Sequence, residues 1–578
     1  MTGPAAPKDP EKARPFFYIL KDKDVFGERQ KDGTGIQFIY ESDGRLINSA
    51  QITGNVTDKE ELTLLETVEG FGRLVHSIGV SVETDRPEET AEFVFQMYGK
   101  KDLYGGGTNL TASLKCDGME HRIYLSDYRW TEDDHVPGQI KILFAAPERM
   151  GKVSVRLFLN DGYEAPSEEE DLVIDMHSEE YCGMISRSLL QLGNPYRIRK
   201  AIEKSKAGKE VTLAYIGGSI TQGAGAIPIH TECYAYKSFQ LFQNRFSTQN
   251  NVRFIKAGVG GTPSELGMIR FDRDVLREGE RPDIVVIEFA VNDEGDETKG
   301  VCYESLVRKV LKLPWKPAVV LLFSVFANDW NLQERLRPVG DLYDLPMVSI
   351  RDAVTPQFSL KCGEGRILSK NQFFYDIFHP NNTGHTIMAD CLQYLFERCD
   401  AAEPARVGTF VEGMTEEQIL SEKLFGPAVI GADFERIFLL DKKNRYVGAK
   451  IRAGGFTSTD MELQSVEMDG NLTQTPEFPY NWMYDGSRLQ MPGFEMEITC
   501  KSLFLIFKDS GEMDVGKANV FVNDVYCMTA DPHKNNWLHC NAVLLFWETE
   551  SRSHKVRIAV TEEDRNKKFT ILGFGYTI

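Results

Sequence analysis

The sequence predicts an α/β core built on a parallel sheet, with an all-β unit on either side. Three observations carry that expectation. Between about residues 179 and 403, five apolar runs alternate with helix-like segments. Before that stretch, and again after it, short apolar runs are separated by turn residues, the texture of antiparallel sheets. Three units follow: an N-terminal β-sandwich over 1–178, the α/β unit over 179–403, and a C-terminal β-sandwich over 404–578.

The N-terminal runs are GIQFIY, RLVHSIGVSVE, EFVFQMYG, IKILFAAP and KVSVRLFL, and the acidic stretch EAPSEEED at 164–171 reads as a solvated linker. The runs VTLAYI (211–216), VRFIKA (252–257), DIVVIEFAV (283–291), AVVLLFSVF (318–326) and PMVSI (346–350) are predominantly apolar, and long enough to be strands buried on both faces. Between and after them lie CYAYKSFQLFQNRF, SELGMIRFDRDVLRE with Ser264 as the expected N-cap, YESLVRKVLKL and TGHTIMADCLQYLFERC. Strands alternating with helices build a parallel sheet covered on both sides. After residue 405 come RIFLLD, RYVGAKIRAGG, LFLIFKD, ANVFVND, HKVRIAV and FTILGFGYTI, again strands and turns.

Composition narrows the function. The 578 residues are enough for about three or four domains. A net charge of −20 and no clustered basic face argue against nucleic acid as a partner. No run has the length of a transmembrane helix, so no membrane association is expected. The N-terminus lacks the apolar region of a signal peptide. Ten scattered cysteines without C-x-x-C pairs suit reduced thiols, and a cytoplasmic location is expected. No His/Cys cluster has zinc-like spacing, so neither metal nor cofactor is expected.

In an open α/β sheet the reactive groups sit beyond the carboxyl ends of the strands. The first strand ends in GGS, placing Ser219 at a strand-to-helix turn; the second ends in AGVGGTPS, with Gly260 and Gly261; the third ends in AVND, with Asn292. After the fifth comes YDIFHPNNTGH, with Asp376 and His379 three residues apart. A serine hydroxyl becomes a nucleophile when an imidazole takes its proton and a carboxylate orients that imidazole. Negative charge forming on an attacked carbonyl oxygen needs preorganised donors. The N–H groups of Ser219 and Gly261 and the amide of Asn292 would supply them.

The ordered set GGS, GVGGT, AVND and DIFHPN resembles the four signature blocks of the SGNH, or GDSL-like, hydrolases, over roughly residues 185–400. The resemblance implies a flavodoxin-like three-layer core and metal-free ester hydrolysis through an acyl-enzyme. It makes Ser219 the nucleophile, His379 the base, Asp376 its orienting partner, and Gly261 and Asn292 members of the oxyanion hole with Ser219. Two positions depart from the family pattern: Gly218 stands where an Asp is usual, and Ala290 where a Gly opens the third block. The GGSIT variant is similar to that of bacterial carbohydrate esterases that deacetylate plant glycans, several of which carry β-sandwich domains.

Plainer readings exist for single residues. Ser219 alone could be an N-cap or part of a phosphate-cradling loop, and Asn292 could cap a helix. Asp293 suits a bond to nearby backbone, and His385 suits packing. Trp330 is expected to wall the catalytic mouth. Trp482, Tyr484 and Trp537 lie in polar, loop-like surroundings and are candidates for stacking a sugar ring, or else plugs of the C-terminal core.

Together these readings point to a serine esterase that removes O-acetyl groups from plant-type oligosaccharides, fragments of mannan or xylan. Two alternatives stay open: an esterase or lipase for small acyl esters, and a carbohydrate-binding protein with an inert hydrolase core. Homo-oligomer formation is also left open.

Overall fold

The computed structural model describes residues 8–39, 45–101, 106–167, 170–277, 279–402, 416–467, 474–487 and 492–578. Part of the expected acidic linker and the expected boundary at 403/404 lie outside them. The central sheet contains the five anticipated strands: Val211–Gly217, Val252–Gly258, Ile284–Glu288, Ala318–Phe323 and Met347–Ser349. They run parallel in the spatial order second, first, third, fourth, fifth. This doubly wound order reverses direction between the first and third strands, where ligands bind in such sheets. A sixth strand, Leu189–Gln191, adds antiparallel to the fifth. At three residues it is too short to leave a periodicity in the sequence.

Side chains alternate across each strand, so the two sheet faces build two cores. On one face Leu213, Tyr215, Ile284 and Val286 pack with Phe242, Leu392 and Phe396. On the other, Ala214, Ile216, Val285 and Ile287 pack with Leu266, Phe271 and Leu306. The expected helices form as Tyr234–Phe246, Ser264–Phe271, Val301–Leu311 and Asn382–Ala401. One detail differs from the sequence reading. Ser264 is the first helical residue after Pro263 and not the cap; its N–H donates 2.7 Å to Asp293 Oδ1, so a carboxyl oxygen from the third strand's loop caps the helix from outside.

The N-terminal unit pairs its strands antiparallel in sheets of four and five. Ile78, Val80 and Leu157 from one sheet meet Phe93, Phe95 and Ile142 from the other in a common core. Three short helices, Arg45–Ile52, Lys59–Leu64 and Val68–Leu74, join this unit. Asp58 and Thr67 cap the latter two through side-chain oxygens, which lets such short segments hold without a long apolar stripe.

Among the described residues, Ser465–Glu467 pairs with Gln474–Pro476 in a separate two-stranded sheet, and eight of the C-terminal strands join in one antiparallel sheet. Its spine is the pair Phe494–Asp509 and His539–Val560, whose register shifts twice near residues 500–504 and so bends. This sheet is packed onto the central unit. Phe504, Ile506 and Leu572 share a core with Ile269 and Phe289, and Arg273 of the central unit pairs with fully buried Glu477 at 2.5 Å. The N-terminal unit reaches the central one through Lys23, whose ammonium donates to the carbonyls of Asn371 (3.2 Å) and Phe374. Both lie on the segment leading to Asp376.

Candidate active site

The buried strand Val211–Gly217 carries the chain into the centre of the molecule and delivers Ser219 at the start of a single helical turn, Ser219–Gln222. As the first residue of that turn, Ser219 has an N–H with no intrahelical partner. Gly218 precedes it because there is no room for a side chain: a Cβ there would lie 2.2 Å from Asn292 Oδ1 and 2.5 Å from Nδ2. The Gly at the position where the family pattern has Asp is therefore tied to how closely Asn292 approaches in this chain.

Asp376 and His379 come from the loop before the helix Asn382–Ala401. Asp376 Oδ1 accepts the backbone N–H groups of Phe378 (2.7 Å) and His379 (2.8 Å), curling the chain back on itself. That turn brings the ring round, so His379 Nδ1 lies 2.9 Å from Asp376 Oδ2. A carboxylate only accepts, so the ring proton sits on Nδ1 and Nε2 is left as an acceptor. His379 Nε2 is 2.9 Å from Ser219 Oγ, across 160 residues of chain. The His379 and Asp376 side chains are mostly buried, 18% and 14% exposed.

Beneath the turn, Thr221 Oγ1 donates to Glu288 Oε2 at 3.0 Å and lies 2.8 Å from Tyr234 Oη. Burial pushes the Glu288 carboxyl up to about 7. His385 is buried and stacked on Tyr234. It accepts the Tyr234 N–H on Nδ1 and meets the Ala224 carbonyl with Nε2, and burial depresses it to about 3. It is a neutral packing residue, apart from the Ser219–His379 pair.

Asn292 makes no side-chain capping bond, and its Oδ1 is buried without a hydrogen-bond partner among the described residues. Gly261 adopts φ +69°, a left-handed conformation suited to glycine. Its N–H donates to no backbone carbonyl among the described residues. Gly260, next to it, lies close to Ser219: a Cβ there would be 3.9 Å from Ser219 Cβ.

The four aromatic candidates divide. Trp537 is 44% exposed and stands over the Gly261 turn, where a Cβ on Gly261 would meet its Cζ2 at 2.8 Å. Trp330 stacks on Phe326 at 5.8 Å, and Phe326 contacts Phe378, the neighbour of His379, at 5.0 Å. Ala327 N–H donates to the Ile377 carbonyl at 2.9 Å, joining the Trp330 loop to the His379 loop. Trp482 and Tyr484 are elsewhere. They are 5% and 6% exposed, and Trp482 packs on Phe494 and Phe574 inside the C-terminal core. The sequence reading of these two as sugar-stacking residues is corrected in favour of the core-plug alternative. They occupy one short strand, Trp482–Tyr484, whose pairing with the strand Phe569–Thr577 turns both rings inward.

Sequence reasoning passed over Phe378, 40% exposed beside the histidine, although it lies inside the DIFHPN block. It also passed over Gln464 and His539, which reach the Gly260–Gly261 turn from the C-terminal unit. No local pattern marks either.

With this geometry in place, comparison with known proteins is informative. Residues 215–387 match the GDSL-like Lipase/Acylhydrolase family model. The matched GDSL-like segment runs from the first central strand into the helix after His379. Two solved structures resemble the chain over 68% of its length and 98% of theirs, each at 23% identity. One is a two-domain esterase (CEX) active on acetylated mannans, at a TM-score of 0.55. The other is a two-domain esterase of that description co-crystallised with mannopentaose, at 0.53. At this identity the likeness is one of fold. No curated protein matches the sequence.

Proposed function

We propose that this chain is a serine esterase that removes O-acetyl groups from plant-type oligosaccharides, with acetylated mannan or xylan fragments as substrates. The observation that carries the reading is the unbroken run from Asp376 through His379 to Ser219, each step 2.9 Å long. In the first half-reaction His379 Nε2 takes the Ser219 hydroxyl proton as Oγ bonds to the acetyl carbon. The N–H groups of Ser219 and Gly261 and the Asn292 amide meet the charge that develops on the carbonyl oxygen. Collapse breaks the bond to the sugar oxygen, and His379 returns the proton to that oxygen, leaving acetyl-Ser219. Water then attacks by the same route, releasing acetate and restoring the serine.

Two features support a sugar ester over a long acyl chain. Phe378 lies beside His379, Trp537 stands over the Gly261 turn, and Trp330 connects to Phe378 through Phe326, giving flat apolar rings of the kind that suit a pyranose. The structures of similar fold include an esterase described as active on acetylated mannans. The test measures acetate release from acetylated mannan and xylan oligosaccharides, and turnover of p-nitrophenyl acetate, by wild type and Ser219→Ala. Glycan deacetylation by wild type alone is expected. Equal, slow rates with persistent glycan binding would favour an inert binding protein. Rapid hydrolysis of long-chain esters without acetate release from either glycan would favour a general esterase.

A further inference from the structure

The peptide that joins Gly260 to Gly261 carries, on its nitrogen, one of the donors assigned above to the oxyanion hole. A peptide unit is planar, so whatever anchors its carbonyl oxygen also aims its N–H. That oxygen, Gly260 O, accepts 2.9 Å from Nε2 of Gln464, a residue of the C-terminal unit 204 positions away. The orientation of the Gln464 amide is settled by its other end, because Oε1 accepts the Cys540 N–H at 2.9 Å. Gln464 is itself buried, 8% exposed, so water competes little for these bonds.

The next carbonyl is held in the same way. Gly261 O lies 3.1 Å from His539 Nε2, which must carry the proton because a carbonyl only accepts. The His539 ring is backed by Asp509 Oδ2 at 3.3 Å and Asn535 Nδ2 at 3.2 Å, and Trp537 covers it at 4.7 Å. Two consecutive carbonyls of the turn are thus fixed by side chains of a different structural unit. A module that only bound sugar would need none of these bonds.

We propose that Gln464, with His539 beside it, is a positioning residue of the oxyanion hole, so that the C-terminal unit aims the Gly261 N–H at the reacting carbonyl. A donor on the peptide oxygen also polarises the N–H at the other end of the unit, strengthening it as the oxyanion forms. The proposal rests on the esterase reading given above.

Gln464→Glu isolates the bond. The variant keeps the volume and the acceptor for the Cys540 N–H but sets a carboxylate oxygen against the Gly260 carbonyl. Deleting an oxyanion donor outright lowers kcat by about 10²–10³-fold, and a misaimed donor is expected to lower it by roughly 10–100-fold. KM for p-nitrophenyl acetate should stay within about twofold of wild type, since the effect falls on the transition state. As pH falls toward the titration of the new carboxyl, it regains a proton to donate, and the ratio of wild-type to variant kcat should narrow. His539→Phe, which keeps a ring under Trp537 but cannot donate, should lower kcat in the same way and decides the matter if Gln464→Glu fails to fold. Active wild type, inactive Ser219→Ala and a Gln464→Glu kcat equal to wild type would overturn this proposal alone. A pH-independent ratio accompanied by a matching loss of melting temperature would overturn it too. Equal rates for wild type and Ser219→Ala would instead remove the esterase reading, and this proposal with it.

Discussion

Gly218→Ala adds one methyl group at the point where two strand ends meet. The new Cβ would sit 2.2 Å from Asn292 Oδ1, 2.4 Å from its Cγ and 2.5 Å from Nδ2. Ordinary contact between such atoms begins near 3.5 Å, so the amide must withdraw by about 1 Å or the Ser219 turn must tilt. Neither can happen freely: the turn is pinned by Thr221 to Glu288, and the Asn292 backbone N–H is bonded to Phe289 O at 3.0 Å. A displacement of about 1 Å in a positioned group lowers the rate by roughly 100-fold. The expected result is kcat on p-nitrophenyl acetate reduced about 100-fold, with a melting temperature only a few degrees lower, since the strain of one extra methylene is about 1–3 kcal/mol. A folded Gly218→Ala enzyme with kcat within twofold of wild type would refute the assignment of Asn292 as a donor to the developing oxyanion.

Other expectations follow from the same geometry. Asp376→Asn keeps an acceptor for the Phe378 and His379 N–H groups but faces His379 Nδ1 with an amide, favouring the wrong ring tautomer; kcat should fall by roughly 10³–10⁴-fold with the fold intact by circular dichroism. Trp537→Ala should raise KM for acetylated oligosaccharides about fivefold, as lost stacking of about 1 kcal/mol implies, while leaving p-nitrophenyl acetate nearly unaffected. Trp482→Ala should do the reverse, lowering stability to urea by about 3–5 kcal/mol without a selective effect on glycan KM. Burial holds the Asp293 carboxyl up at about 8. Its folded value lies above its unfolded one, so its stabilising share is present in acid and is lost as pH rises through about 8. Wild type should therefore lose melting temperature progressively as pH rises from the ordinary carboxylate range to about 8 and level off above it, and Asp293→Asn should flatten that slope; identical slopes would count against a protonated Asp293.

The amino-acid sequence by itself determined the arrangement of the central unit, and the reason is physical. A strand covered on both faces is apolar at nearly every position, so the largely apolar runs VTLAYI and DIVVIEF announced themselves whatever surrounded them. The turns at their ends were equally legible, because tight backbone passages demand glycine, and reactive groups there need Ser, Asn, Asp and His. The spacing of Asp376 and His379 even contained its own geometry, since a carboxylate three residues before the ring can accept two backbone N–H groups and close the turn locally. Tertiary structure alone decided which aromatic rings face the site. Trp482 and Trp537 have similar polar neighbours in the chain, and strand pairing buried one and left the other over Gly261. It also decided what holds the Gly260–Gly261 turn. Gln464 and His539 are ordinary residues in strand and loop sequence, and their hydrogen bonds to that turn arise only when the C-terminal sheet packs onto the core. Contacts between units separated by about two hundred residues leave no periodicity to read, because each partner satisfies only the local rules of its own element.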